Sequence, residues 1–195
     1  SPVNHMKGRL PSLPLELFML YESPSLEVLR PTPREAYVRT LLACMEMLRT
    51  GVTAVQDDAF FVPYPTPGII DAVAQAYEDC GIRARLALDQ SDRAETDKLP
   101  YLAALLPEGQ RAALSAPPAF GAAQLLECYD HLIARWNGAA GGRVRAAVSC
   151  SAPQRVTPGY ATALQRLAER HDLPLYVHIL ETRTQRVFGE ECSGG

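Results

Sequence analysis

The chain has 195 residues, of which 47% are hydrophobic and 21% charged, so it has ordinary material for one globular domain. Its 19 basic and 22 acidic side chains give a net charge of -3 without a basic run, which argues against nucleic acid and membrane surfaces as partners. No apolar stretch approaches the roughly 20 residues needed to cross a bilayer, and the N-terminus lacks the layout of a signal peptide. We therefore expect a cytoplasmic protein.

The first part of the chain, residues 1–33, contains six prolines that interrupt any regular pattern. We expect this segment to be a long irregular loop, and residues 34–195 to form successive α/β units of the same domain. Apolar residues at helical spacing predict a helix over 34–50 that ends at Gly51. A short β-branched strand over 52–57 follows it.

The same alternation then repeats along the chain. Further helices are predicted over 67–80, 121–136 and 158–170, and further strands over 82–88, 144–149 and 175–179. The segment 91–120 is less regular, with one short helix predicted over 99–106. Crossover connections of this length require parallel strands buried beneath helices.

Two fold classes have this pattern, the open doubly wound sheet and the closed (β/α)8 barrel, and both place their chemistry at the carboxyl ends of the strands. No G-x-G-x-x-G or G-K-[ST] loop follows a strand, which weakens the case for a nucleotide-binding open sheet. The sequence therefore favours an α/β fold of the TIM-like (β/α)8 barrel type.

Polar side chains follow the predicted strands, as a barrel mouth requires. They are Asp57 and Asp58, Asp89 and Gln90, residues 149–154, and His178 with Glu181. Acidic and amide residues after a strand often cap the next helix or form a turn, and we favour such structural roles for Asp57, Asp58 and Asp89.

His178 and Glu181 form an H-x-x-E pair directly after an apolar strand, but this pair alone is weak support for a site. The alternative is a strand-end histidine that bonds backbone groups, followed by an acid that favours the next helix's dipole. The surrounding sequence has to decide between these interpretations.

Four stretches in the correct order carry a family resemblance that spans essentially the whole chain. They are Ser-Pro-Val-Asn-His-Met-Lys-Gly at 1–8, Leu-Arg-Thr-Gly-Val-Thr-Ala-Val at 48–55, Ser-Ala-Pro-Gln-Arg-Val-Thr-Pro at 151–158, and Val-His-Ile-Leu-Glu-Thr at 177–182. The chain resembles the amidohydrolase superfamily, in the branch of cytosine deaminases, guanine deaminases and triazine chlorohydrolases.

The resemblance implies a metal site whose ligands come from several strands of the barrel. In the family, a His-x-His pair ends the first strand directly before a segment like residues 1–8, and a later histidine and aspartate complete the metal ligands. His178 corresponds to the fifth-strand metal ligand and Glu181 to the catalytic proton shuttle. We therefore expect this chain to be the first half to two-thirds of the barrel, and to be inactive alone because only one ligand is identified within it.

The implied function is a metal-dependent hydrolase of non-peptide carbon–nitrogen bonds in cyclic amidines or amino-heterocycles, of deaminase or chlorohydrolase type. A divalent metal, zinc first and iron as the alternative, would activate water, and Glu181 would accept the water proton, a role that suits a buried carboxylate. The partner would be a small heterocyclic substrate, and the full-length protein a homo-oligomer. The alternative function is a non-catalytic barrel remnant that acts in assembly or interaction.

Two further residues are candidates for substrate binding. Gln154 lies in the loop after the 144–149 strand, where its amide could recognise a heterocycle, and His5 lies in the loop that contacts substrate in the family. His131 and His171 lie on predicted helices and are expected to be structural. A metal-free lyase would need a strand-end lysine, and neither Lys7 nor Lys98 holds such a position.

Overall fold

The computed structural model describes residues 8, 12–22, 27–99 and 101–193. The strands are β1 (Ala54–Phe60), β2 (Arg83–Asp89), β3 (Val144–Ala146), β4 (Val148–Ser149) and β5 (Leu175–Tyr176). The helices are α1 (Leu15–Glu22), α2 (Pro33–Arg49), α3 (Pro67–Cys80), α4 (Leu102–Leu105), α5 (Glu108–Leu114), α6 (Ala122–Trp136), α7 (Ala139–Gly142), α8 (Pro158–His171) and α9 (Arg183–Ser193). Within these ranges, no helix combines the length and the apolar character needed to cross a membrane.

The strands run parallel and follow one another in chain order. β1 pairs with β2 from Ala54 opposite Arg83 to Phe60 opposite Asp89, and β2 pairs with β3. Ala147 separates β3 from β4, but its N–H donates to the carbonyl of Leu86 at 2.8 Å, so this stretch continues along β2. β4 then pairs with β5. The prediction of successive parallel strands joined by helical crossovers is confirmed, and the arrangement is that of part of a (β/α)8 barrel.

Three of the long helices begin with the same Thr-Pro dipeptide. The threonine is the N-cap, and its hydroxyl accepts from the backbone N–H three residues later, while the proline fits the first helical position without losing a hydrogen bond. The pairs are Thr32-Pro33, Thr66-Pro67 and Thr157-Pro158. At the other end of α3, Gly81 adopts a φ of 81°, the left-handed conformation that ends a helix at low cost for glycine.

The core lies between the strands and the helices that cover them. Leu86 and Leu88 in β2 are fully buried, as expected for a parallel strand inside an α/β fold. The apolar faces of the covering helices meet them through residues such as Val73, Leu132 and Leu164, all of which are inaccessible to solvent. This burial fixes the strands and therefore the positions of the residues at their ends.

Some boundaries differ from the sequence predictions. β1 extends to Phe60, so Asp57 and Asp58 lie inside the strand rather than after it. The segment 1–33, predicted as an irregular loop, contains α1 within its described residues, and α5 was not predicted at all. β5 ends at Tyr176 instead of residue 179. The short helices α1 and α5 were not predicted, because the proline directly before each was interpreted as an interruption. Proline also fits at the start of a helix.

Candidate metal and active site

The candidate site lies at the carboxyl ends of the parallel strands. Asp58 lies near the end of β1, Asp89 is the last residue of β2, and Ser149 is the last of β4. His178 follows β5 by two residues, and its backbone N–H still donates to the carbonyl of Ser151 at 2.7 Å. Because parallel strands end at the same edge of a sheet, these four side chains converge.

Asp58, Asp89 and His178 form a group that fits a divalent cation. One carboxylate oxygen from each aspartate and one ring nitrogen of His178 lie within 4.8 Å of one another. A set of one imidazole and two carboxylates suits zinc, iron and other divalent metals. Within the described part of the chain, Oδ1 of Asp58 and Oδ1 of Asp89 are buried and have no hydrogen-bond partner, although Arg155 forms an ion pair with Asp89. Oδ1 of Asp58 is therefore available to a cation.

The imidazole of His178 is held from one side. Its Nδ1 lies 3.1 Å from the carbonyl oxygen of Ser151 and 3.6 Å from Oδ2 of Asp58. The side chain of His178 is 40% exposed, whereas that of Asp58 is only 16% exposed. The histidine therefore lies at the boundary between the buried strand ends and the solvent-accessible mouth.

Burial and neighbouring charge determine the state of Asp58. Desolvation, with a further contribution from the nearby negative charge of Asp89, raises the pKa of Asp58 to about 6, against the opposing effect of a hydrogen bond from Ser149. That bond runs from the hydroxyl of Ser149 to Oδ2 of Asp58 at 2.9 Å. Asp89 has a partner in Arg155, whose guanidinium lies 3.7 Å from its Oδ1. A bound cation would favour the charged form of Asp58.

Glu181 lies just beyond His178, where the chain turns into α9. Leu180 makes this turn with a φ of 57°, a conformation rare for a residue with a branched side chain. The backbone N–H of Glu181 donates to Oε1 of Gln185 at 2.7 Å. Glu181 is exposed in the described structure, so the expected burial of this carboxylate is not provided by the described residues.

Most of the candidate residues line one cavity of about 770 Å³. His178, Glu181, Gln154 and Asp89 all line it, which places the predicted ligand, the predicted proton shuttle and one predicted substrate contact around one space. The volume is in the range of small-molecule sites in general.

The cavity wall also includes residues that the sequence did not reveal. They are Arg93, Lys98, Arg155 and Gln185 among the polar ones, and Phe18, Leu99 and Leu114 among the apolar ones. No local sequence pattern identified these residues as cavity residues, because they lie in separate segments of the chain and meet only in the folded structure. We favoured structural roles for Asp58 and Asp89 from the sequence and did not predict how close they lie to His178. No sequence pattern gives a distance between side chains on different strands.

The remaining candidates have different outcomes. Oε1 of Gln154 accepts from Nε2 of Gln185 at 3.2 Å, so Gln154 is anchored in the cavity wall. His5 lies outside the described residues. His131, on α6, contacts Oδ1 of Asp71 at 2.8 Å, and His171 is the last residue of α8, so both lie on helices as predicted.

Three comparisons relate the chain to known proteins. It is 27% identical over 180 residues to a 5-methylthioadenosine/S-adenosylhomocysteine deaminase of Syntrophomonas wolfei, covering 92% of this chain and 34% of that protein. It is 30% identical over 160 residues to an 8-oxoguanine deaminase of Pseudomonas aeruginosa, covering 82% and 33%. A zinc-bound adenosine deaminase of Xanthomonas campestris superposes with a TM-score of 0.67 at 24% identity over 99% of this chain and 37% of that one.

The parallel strands and the polar edge define a partial (β/α)8 barrel with its candidate site at the carboxyl ends of the strands. The family profile described as the amidohydrolase family matches residues 4–187. The chain belongs to the amidohydrolase family. It spans about a third of the length of the relatives given above.

Proposed function

We propose that the natural full-length protein is a metal-dependent hydrolase that removes an amino group from a small amino-heterocycle. The observation that carries this proposal is the meeting of His178 with Asp58 and Asp89 beside a cavity that Glu181 also lines. Oδ1 of Asp58 is a buried carboxylate oxygen without a hydrogen-bond partner beside an imidazole, and a scaffold without catalysis has no need for such a group, because it destabilises a fold unless something binds it.

Zinc is the metal that we propose, with His178 as a ligand and with the carboxylates of Asp58 and Asp89 close by. The donor set is compatible with zinc, and a structurally similar deaminase has bound zinc. When bound, such a cation supplies Lewis acidity that makes a water molecule easier to deprotonate. Iron suits the same donors and remains the alternative.

Glu181 is the residue that we propose for proton transfer. Glu181 lines the cavity that His178 also lines, and its main chain is fixed by the hydrogen bond to Gln185. In this role, Glu181 accepts the proton of the attacking water and delivers it to the departing nitrogen. Gln154, on the same cavity wall, is the proposed contact for the polar edge of the heterocycle, and His5 is a second candidate from the sequence alone.

We propose deamination over dechlorination. The curated relatives described above are named as deaminases of purine-type compounds, and the triazine hydrolase structures, at 20% identity or below, support only the fold. The functional alternative, a non-catalytic remnant that acts in assembly, has no observation in its favour.

The proposal is tested with the purified full-length protein. Its metal content is measured after dialysis, and ammonia and chloride release are followed on a panel of aminopurines, aminopyrimidines and chlorotriazines. We expect bound divalent metal, ammonia release from at least one amino-heterocycle, loss of turnover with a chelator and recovery with zinc. A metal-free protein that releases neither product from the panel would contradict the proposed function.

A cytoplasmic location and a homo-oligomeric state of the full-length protein remain predictions. Fractionation of cells tests the first, and light scattering of the purified protein tests the second. Monomeric protein at micromolar concentration would contradict the prediction of an oligomer.

A further inference from the structure

The two ring nitrogens of His178 have different surroundings. A neutral imidazole has one nitrogen that donates a hydrogen bond and one that accepts. Nδ1 lies 3.1 Å from the carbonyl oxygen of Ser151, which can only accept, so this contact requires the proton to be on Nδ1. Among the described residues, Nε2 has no hydrogen-bond partner. Its lone pair is therefore the one left for a cation.

We infer that Asp58 and the backbone carbonyl of Ser151 are positioning groups that hold His178 with its proton on Nδ1 and thereby direct Nε2 to the metal. This inference rests on the proposed metal-binding role of His178. It assigns to Asp58 a function that acts through the histidine rather than on the substrate.

The carbonyl of Ser151 is placed for this purpose by the local backbone. Ser151 has a φ of 51°, in the left-handed region that is uncommon outside glycine, and it is fully buried. The same carbonyl accepts from the backbone N–H of His178 at 2.7 Å and contacts Nδ1 at 3.1 Å. The backbone N–H of Ser151 donates to the hydroxyl of Ser149 at 2.9 Å, which fixes the turn. A ring tied to a carbonyl that also holds its own main chain has little freedom to rotate.

Asp58 acts on the same nitrogen by its charge. Its Oδ2 lies 3.6 Å from Nδ1, which is too long for a hydrogen bond but close enough for a carboxylate to favour a proton there. The hydroxyl of Ser149 donates to this same oxygen at 2.9 Å and so holds it toward the histidine. Because Asp58 is mostly buried, its interaction with the imidazole is screened less than it would be at the surface.

Carboxylate and carbonyl partners of this kind commonly set the tautomer and the orientation of histidines that bind metals, and their loss weakens metal binding about 10–100-fold. The contacts of Nδ1 therefore give His178, Asp58 and Asp89 different roles. His178 supplies Nε2 to the cation, Oδ2 of Asp58 supports Nδ1, and the carboxylate of Asp89 lies beside them, paired with Arg155.

The tautomer is measured directly on the full-length protein by nitrogen-15 NMR of labelled histidine, with the His178 signals assigned by their absence in His178→Gln. In the metal-free protein, above the pH at which the ring is protonated, we expect a protonated-type shift at Nδ1 and an unprotonated-type shift at Nε2. Added zinc should move the Nε2 signal most. A proton on Nε2 in the metal-free protein, or a zinc-induced shift centred on Nδ1, would overturn the inference.

The role of Asp58 is tested with Asp58→Asn and with Ser149→Ala, which removes the hydroxyl that holds Oδ2. Zinc affinity, measured by competition with a chelator, should fall about 10–100-fold in Asp58→Asn and by a smaller factor in Ser149→Ala, and the preference for a proton on Nδ1 should weaken in both. The second variant keeps the test available if the first does not fold.

Asp57→Asn is the matched control. Asp57 precedes Asp58 on β1, is also buried, and accepts a hydrogen bond of 2.6 Å from Tyr77 on α3, away from His178. This variant should keep the tautomer and zinc affinity of the wild type. Wild-type zinc affinity in Asp58→Asn would overturn the inference but leave the proposed function intact. If zinc moves no signal of His178 in the wild type, the proposed function fails as well.

Discussion

The centre of the sheet and the segment after β5 differ in burial and in backbone pairing. In β2, residues from Leu86 to Asp89 are all buried, and the strand is paired on both sides. After β5, Val177, Ile179, Leu180 and Val187 are 40–70% exposed, and β5 itself has two residues. The sheet supplies the two aspartates, Asp58 on β1 and Asp89 on β2, and the exposed segment supplies His178 and Glu181.

This difference shows how stability and chemistry are distributed in the chain. A side chain in the centre of the sheet contributes mainly through burial, since about 25 cal/mol is gained for each Å² of apolar surface removed from water. A side chain after β5 has little such area to lose, and its proposed contribution is to the reaction of the full-length protein. Substitutions in the two regions should therefore affect different measurements.

The largest effect on stability is expected at the sheet centre. Leu86→Ala should lower the free energy of unfolding by about 2–5 kcal/mol, because the fully buried side chain leaves a cavity when it is truncated. Leu175→Ala is the matched control: a strand leucine that is 41% exposed should lose a clearly smaller amount. Urea unfolding of both variants measures the difference. Equal losses would show that the two regions are not distinct.

A smaller loss is expected from Tyr129→Phe. The buried hydroxyl of Tyr129 accepts from the N–H groups of Leu88 and Ser149 at 3.1 and 2.8 Å and donates to the carbonyl of Leu88 at 2.9 Å. Its removal leaves these backbone groups without that partner, which costs about 1–3 kcal/mol. Tyr101→Phe, at an exposed tyrosine, should be close to neutral. Thermal unfolding of both checks this, and an unchanged midpoint for Tyr129→Phe would contradict it.

The smallest effect on stability is expected from Glu181→Gln. Glu181 is exposed and the substitution keeps its size, so the free energy of unfolding should change by less than about 0.5 kcal/mol. Glu190→Gln, at another exposed acid further along α9, is the control. A large loss in Glu181→Gln alone would mean that the carboxylate supports the fold.

The sequence predicted the alternation of strands and helices because caps and apolar spacing are local signals. The predicted helix over 67–80, which ends before Gly81, matches α3, whereas β1 was cut short at Asp57 because a pair of acids resembles a turn. Family resemblance pointed to His178 and Glu181. The sequence placed Asp58, Asp89 and His178 at one strand-end edge, but the distances among them could not be predicted, because they depend on how strands that are distant in sequence lie side by side.

We propose that the exposed segment after β5 supplies the metal-binding histidine and the proton-transfer residue of the full-length protein. This proposal is tested most directly by measuring metal content and turnover together in Glu181→Gln, with the amino-heterocycle that the panel identifies as substrate. Because the amide has the size of the carboxylate but cannot accept the proton of water, we predict wild-type metal content and a turnover number lower by about 10²–10⁴-fold. Wild-type turnover would contradict the account, and loss of the metal together with the activity would place Glu181 in metal binding rather than in proton transfer.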